Sequence, residues 1–319
     1  MSLRTVRVPG KVMLSGEYAV LYGGTAILSP VPRWIEISEV NFPPMTPYPP
    51  AVEVARTLPI RELDEFEYKF GIPYVLIDRS NVIELVEGGT VKKLGLGSSA
   101  AEAVGTVALR YERAGIPWKH HRNEIVRLAM EAHRIAQKGR GSGADVAVCA
   151  LGEPIRFQPA TEKGMKTKIE PLTMPARPRK LPMALVWSRE PADTRTLVDQ
   201  FDAWAKEDKQ ADVLVQKLVA LSHGLARTWF VSSKDDFFEQ IDQFNITLQQ
   251  CADAAGMNYR LPIHEELEAW ALGHGGRAKP TGAGGGDMIM LLGNLPIDQL
   301  KDELIIPIDP LDFLGSYKL

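Results

Sequence analysis

The sequence predicts a mixed fold of helices and strands, α+β or α/β, arranged as two lobes. Three observations carry that expectation. From Thr5 to Val31 the chain is a series of short β-branched and apolar runs broken by Pro-Gly and Gly-Gly, the pattern of strands and turns. Two segments that follow, starting near Ser98 and Lys119, place apolar residues at helical spacing. After a stretch rich in Pro, Lys and Thr between Gly152 and Pro182, strands and amphipathic helices return. Mixed elements on both sides of that stretch argue against an all-β chain, and the lobes are expected to span residues 1–165 and 166–319.

Taken in order, "TVRVPGKVMLSGEYAVLYGGTAILSPV" reads as strands and turns, with Lys11 after a Pro9-Gly10 turn and Glu17-Tyr18 in a second turn. "NFPPMTPYPP", Asn41 to Pro50, is too proline-rich for regular structure and is expected to be an exposed loop. "SAAEAVGTVALRYERAG" is a helix closed by Gly115, and "KHHRNEIVRLAMEAHRIAQKG" a second closed by Gly139. "MALVW" is a strand of the second lobe, and "AKPTGAGGGDMIMLLGNLP" a strand-turn-strand unit. His264 and His274, in "HEELEAWALGHGGRAKP", are expected at the surface.

Composition narrows the function classes. The chain has 319 residues, 45% hydrophobic and 24% charged, which suits a globular protein with a sizeable core. A net charge of -3 gives no footprint for nucleic acid or an anionic membrane. No apolar run approaches the ~20 residues that span a bilayer. Cys149 and Cys251 have no metal-type spacing and point to a reduced, cytoplasmic protein. The expected oligomeric state is a monomer or homodimer.

Four segments carry possible chemistry, and each has a plain structural alternative. In "LGLGSSAAEAVG", glycines let backbone approach an anion, amides at a helix start point toward it, and Ser98 and Ser99 offer hydroxyls. The lysine of a P-loop is absent, and a glycine turn with a serine cap explains the stretch equally well. "GRGSGADVAV" delivers one carboxylate, Asp145, to the start of a buried run, either as a helix cap or as an acid needing a cation or metal. "KPTGAGGGD" is dense in glycine, which suits close backbone approach or a flexible turn. "VPGKVMLSGEYAVLYGG" offers Lys11, which alone would be a solvated charge.

Together and in this order, the segments resemble the GHMP kinase superfamily, named for galactokinase, homoserine kinase, mevalonate kinase and phosphomevalonate kinase. "PGKVMLSGEYAVLYGG" is similar to its first motif, "GLGSSAA" to its ATP-binding second motif and "KPTGAGGGD" to its third. Within the superfamily, "GEY" at Gly16–Tyr18, "AHRIAQKGRGSGADVAV" and the terminal Asp287 of the glycine run look like the phosphomevalonate kinase branch, as, less closely, does "VWSREPADTRTLV". One feature departs from the mevalonate kinases. Their Mg²⁺-binding glutamate would fall at about Arg134, and the nearest carboxylate is Glu131.

The resemblance implies an α+β fold, with an N-terminal lobe of the ribosomal protein S5 domain 2 type and a ferredoxin-like C-terminal lobe, and transfer of phosphoryl from ATP, with Mg²⁺. It implies that Gly95, Leu96, Gly97, Ser98, Ser99 and Ala100, with Gly282, Gly284 and Gly285, hold ATP. Ser99 is the implied Mg²⁺ contact, with Glu131 as a second. Lys11 and Asp145 are the implied catalytic pair. The acceptor, a small phosphorylated acid, would meet Lys11, Glu17, Tyr18, Lys93, His133, Arg140, Ser142, Arg195 and Gly285, with Lys92 and Arg189 as further cations. The implied reaction is 5-phosphomevalonate to 5-diphosphomevalonate. The alternatives are a kinase for mevalonate or another small alcohol or sugar, and a non-catalytic ATP- or metabolite-binding regulator.

Overall fold

The chain opens with a long antiparallel hairpin. In the computed structural model, which describes residues 4–85, 89–160, 166–172, 180–208, 211–301 and 303–308, β1 (Thr5–Ser15) pairs with β2 (Ala26–Val40). The expected turn at Pro9-Gly10 is absent. The strand runs through it, and the register slips between Pro9 and Lys11. Proline has no N–H to give the ladder, and a β-carbon at residue 10 would lie 2.9 Å from the Leu96 carbonyl oxygen. Pro-Gly thus marks an irregularity where a distant segment packs on the strand, as glycine in a strand commonly does.

Asn41 to Pro49 is irregular, as expected, but Pro50 opens a helix, in the first helical position where its missing N–H costs nothing. This α1 (Pro50–Thr57) and the next, α2 (Asp64–Phe70), were not legible as periodic runs. Both are tied to α3 (Ser98–Arg113) by buried Arg110. Its guanidinium donates to the carbonyls of Ala55 and Leu58 at 2.8 Å and pairs with Glu67 at 2.6 Å. Between them lie β3 (Tyr74–Asp78), on the far edge of β2, and the small hairpin of β4 (Ile83–Leu85) and β5 (Val91–Lys93). Buried nearly throughout, α3 approaches the sheet closely. A β-carbon at residue 105 would lie 2.5 Å from Ile37.

The second expected helix is α4 (Arg122–Ala136), shortened because Trp118–His121 forms one 3₁₀ turn. Then come α5 (Ala144–Leu151), β6 (Ile155–Gln158) and β7 (Lys168–Pro171). The first sheet has the order β1-β2-β6-β7, with β3 also on β2. Since β7 pairs with β6, the first sheet continues past residue 165.

The rest of the chain forms a second antiparallel sheet and most of the remaining helices. Its strands are β8 (Met183–Trp187), β9 (Arg277–Pro280), β10 (Met288–Leu292) and β11 (Ile305–Ile308), in the order β11-β8-β10-β9. Its helices are α6 (Thr194–Glu207), α7 (Ala211–Thr228), α8 (Lys234–Ala254) and α9 (Pro262–Gly273). The mixed, two-lobed fold is the one expected. One apolar core runs from Val8 and Ile37 through Phe201 to Phe244 and Met290, so the lobes share it, and a smaller cluster around Val186, Leu267 and Ile289 lies with α9. His264 corrects an expectation. It is fully buried, accepts the Leu261 amide at 2.9 Å, and is held neutral by burial, which pushes its pKa down to about 4. His274 is exposed, as expected. Among the described residues no helix is long and apolar enough to cross a membrane.

Candidate active site

The four segments meet in one cavity of about 390 Å³ between the lobes. Its floor is the loop leading into α3. The amide of Lys11 donates to the Leu96 carbonyl at 2.9 Å, which pins this loop to β1. Leu94 and Leu96 are buried, which turns the glycines between and after them to the cavity. The serine-cap alternative fails. The residue at the cap is Gly97, in the left-handed conformation, and Ser98 and Ser99 are the first two helical residues. Only the next amides, of Ala100 and Ala101, return to the Gly97 carbonyl, both at 3.1 Å. The amides of Ser98 and Ser99 belong to the unsatisfied first turn, and both residues line the cavity.

The loop glycines have a second role that the sequence did not show. A β-carbon at residue 97 would lie 2.8 Å from the Lys11 side chain, and one at residue 95 would lie 2.2 Å from the Asp287 carboxyl carbon. The glycine positions are filled by the two charged side chains flanking the loop.

Lys11, buried, reaches Asp145 in the first turn of α5, Nζ to Oδ2 at 3.2 Å. Burial lowers the pKa of Lys11, but the Asp145 carboxylate, with more distant help from Asp287, outweighs it and leaves the pKa raised, so Lys11 is an ammonium. Asp145 stays 37% exposed, its other side open to the cavity. His133 on α4 lines the same wall, its Nε2 3.0 Å from the Gln137 amide nitrogen. Burial lowers its pKa, more than the nearby Asp145 raises it, and the ring is neutral.

The third segment closes the far side. Lys279 and Glu17 form a fully buried ion pair across the lobes, and the Tyr18 hydroxyl donates to the Ala283 carbonyl at 2.7 Å. Thr281, Gly282 and Ala283 face the cavity, while Gly284, Gly285 and Gly286 turn into packing. The Asp287 carboxylate accepts from the Ala192 amide at 3.1 Å. Its pKa is raised by burial, against the pull of that hydrogen bond and of Lys11 and Lys93.

Of the residues expected at the site, Lys11, Glu17, Tyr18, Lys93, the loop from Gly95 to Ala100, His133, Ser142, Asp145 and Gly282 line the cavity. Glu17 is already matched by Lys279. Gly284 and Gly285 do not line it; they pack on Tyr259 and on Leu197 with Asn258. Glu131 does not line it either, and pairs with Arg127 at 3.4 Å on the outer side of α4. Arg140 pairs with Asp199 at 2.7 Å, Arg189 with Glu303 at 3.3 Å, and Lys92 donates to the Arg189 carbonyl at 2.8 Å, all three outside the lining. Arg195 is exposed at the start of α6, and its neighbour Thr194 takes the cavity position. Asp287, Gln137, Ala192 and Thr281 were not expected here; only the acid at the end of the glycine run was visible beforehand. Among the described residues no group of three His, Cys, Asp or Glu is placed to hold a metal. The oxygen donors of Ser98, Ser99, Asp145 and Asp287 around the cavity are the hard kind that suits Mg²⁺ beside phosphate.

Residues 62–153 match the family described as GHMP kinases N terminal domain. The chain is 29% identical over 300 residues to a phosphomevalonate kinase of Saccharolobus solfataricus, covering 91% of this chain and 90% of that one. It is also 29% identical over 172 residues to a mevalonate kinase of Aeropyrum pernix, covering 47% and 49%. A Streptococcus pneumoniae phosphomevalonate kinase, solved in complex with phosphomevalonate and AMPPNP, superposes with a TM-score of 0.75 at 18% identity, covering 96% of this chain and 100% of that one.

Proposed function

We propose that this chain, which belongs to the GHMP kinase family of ATP-dependent kinases, transfers the γ-phosphoryl of ATP to the phosphate of 5-phosphomevalonate. The observation that carries this reading is the state of the acceptor wall. Lys11, held as an ammonium beside Asp145, and Lys93 both line it, so the wall offers cations to an acceptor phosphate. A hydroxyl acceptor needs its proton removed, whereas a phosphate monoester, with a second pKa of about 6, is largely ionised at neutral pH. It needs cations instead. Lys93 lines the cavity and has no ion-pair partner among the described residues.

In this reading the amides and hydroxyls of Ser98 and Ser99 hold the ATP phosphates at the start of α3. An acceptor phosphate oxygen attacks the γ-phosphorus in line, and the bond to the ADP oxygen breaks. Lys11, held by Asp145, stabilises charge on the transferred group, the dominant effect in such reactions. Mg²⁺, when bound, neutralises the phosphates, and the Ser99 hydroxyl is the protein oxygen that would hold it. Glu131, paired with Arg127 and outside the cavity lining, has no part in this reading. A cytoplasmic location belongs to the same proposal, consistent with two free, buried cysteines.

A second reading, a hydroxyl acceptor such as mevalonate, is favoured by the open side of Asp145, which would then be the base. ADP release at fixed Mg·ATP with 5-phosphomevalonate, mevalonate, galactose and homoserine separates the two. Turnover with mevalonate and none with 5-phosphomevalonate would reject the first reading. Lys11→Met should lower turnover about 10²–10³-fold. Asp145→Asn should cost about 10²–10⁴-fold if a proton must be removed, and far less if not.

A further inference from the structure

A second cavity, of about 230 Å³, opens between the paired strands β6 and β7 and helix α7, and shares no lining residue with the first. Arg156 faces it from β6, Lys168 from β7 and Arg227 from α7, against one carboxylate, Glu170. Strand register sets Arg156 directly opposite Glu170, yet among the described residues none of the three cations forms an ion pair. In the second lobe, by contrast, Arg260 pairs with Glu268 at 2.6 Å and Arg277 with Asp242 at 2.7 Å. The Arg156 Nε is moreover buried without a hydrogen-bond partner, a donor that proteins rarely leave unused.

The wall behind these cations is fixed. Thr25 Oγ1 lies 2.8 Å from His223 Nδ1, and the Thr25 amide donates to Ser222 Oγ at 3.1 Å. His223 and Arg227 are one helical turn apart on α7, with the small, buried Ala226 beside them leaving room. Lys168 and Arg227 reach the cavity from exposed positions, so it is open to solvent.

We propose that this cavity binds a small phosphorylated anion, a phosphate or diphosphate group held by Arg156, Lys168 and Arg227. Guanidinium forks match phosphate oxygens in pairs, and an excess of cations without internal partners is what such a ligand requires. The ligand bridges the lobes, with two contacts on strands of the first and one on a helix of the second. Thr25 directly follows the turn Ala19–Gly24, whose Val20 and Leu21 line the catalytic cavity, so occupancy of one site bears on the wall of the other.

Hydrogen exchange of the full chain with inorganic pyrophosphate as probe tests this. The expected result is saturable protection of residues 155–158 and 222–228. Protection at 95–101 reports the catalytic cavity and is scored separately. In Arg227→Gln and in Arg156→Gln, half-saturation at 155–158 and 222–228 should rise at least about tenfold, the worth of one lost charged hydrogen bond, with 95–101 unchanged. Protection confined to 95–101, or protection at 222–228 that survives Arg227→Gln, would overturn the site. Equal half-saturation with citrate, a polyanion without phosphate, would overturn the phosphate assignment.

Discussion

The two glycine-rich loops of the catalytic cavity look alike in sequence and are confined in different ways. At Gly95 and Gly97 the space of a side chain is taken by side chains, the Asp287 carboxyl and the Lys11 methylenes. At Gly284 it is taken by the buried Tyr259 ring, 2.2 Å from a β-carbon there, and by the Tyr259 carbonyl oxygen at 2.7 Å, and at Gly286 by backbone alone, with the Glu190 carbonyl oxygen at 2.4 Å. The first loop is therefore set by groups that can move, and these include a catalytic candidate. The second is set by the fold itself. Glycine density thus has two meanings in this chain: adjustable contact with the chemistry in one loop, and a fixed lobe contact in the other.

The sharpest way to break the comparison is at the support of the second loop. Lys279→Met leaves Glu17 buried without its cation, and should cost about 3–5 kcal/mol in urea unfolding. Adding Glu17→Gln should recover much of that loss. Gly286→Ala comes next. Its φ of 146° is glycine's own region and its neighbour is a carbonyl, so about 2–4 kcal/mol should be lost, with no relief from Glu190→Ala because the obstructing atom is backbone. Gly95→Ala should be milder, about 1–2 kcal/mol, part of it for the left-handed conformation at φ 74°. Here Asp287→Gly, which removes both the carboxyl and the β-carbon 2.4 Å from the added methyl, should restore stability, and a double-mutant cycle should show coupling above about 0.5 kcal/mol. Equal behaviour of Gly95 and Gly286 in these cycles would dissolve the distinction.

The smallest effect is with pH. The pKa of Asp287 is raised by burial, so its protonated form is favoured by folding. That contribution is full below the ordinary carboxylate range and is lost as pH rises through the raised value. Asp287→Asn should therefore gain stability over the parent chain above that pH and lose the advantage below it, as read by thermal unfolding across pH 3–7.

What was legible in the sequence follows from what is local. The periodicity of α3 and α4 and the strand-turn-strand of β9 and β10 were visible because neighbouring residues decide them. The four segments of the cavity were visible for a different reason, their resemblance to a motif set. What was missed depends on distant partners. The Pro9-Gly10 irregularity exists because Leu96 packs on it. Short α1 and α2 are held by Arg110, a residue of a later helix. The bend of the chain after β8 brings Thr194 to the cavity and leaves Arg195 outside. His264, polar and followed by Glu265 and Glu266, reads as a surface residue until α9 is laid against its sheet.

The clasp between Glu17-Tyr18 and Lys279–Ala283 has a consequence for how the molecule is made. Lys279 leaves the ribosome 262 residues after its partner. Chains fold from the N-terminus as they emerge, at about 5–20 residues per second. For some tens of seconds, by that rate, the nascent first lobe carries the Glu17 carboxylate without its counter-charge and an open seam where the second lobe will dock. A chaperone that shields this seam, or a pause in translation before β9, would act on the one step that no part of the first lobe can complete alone.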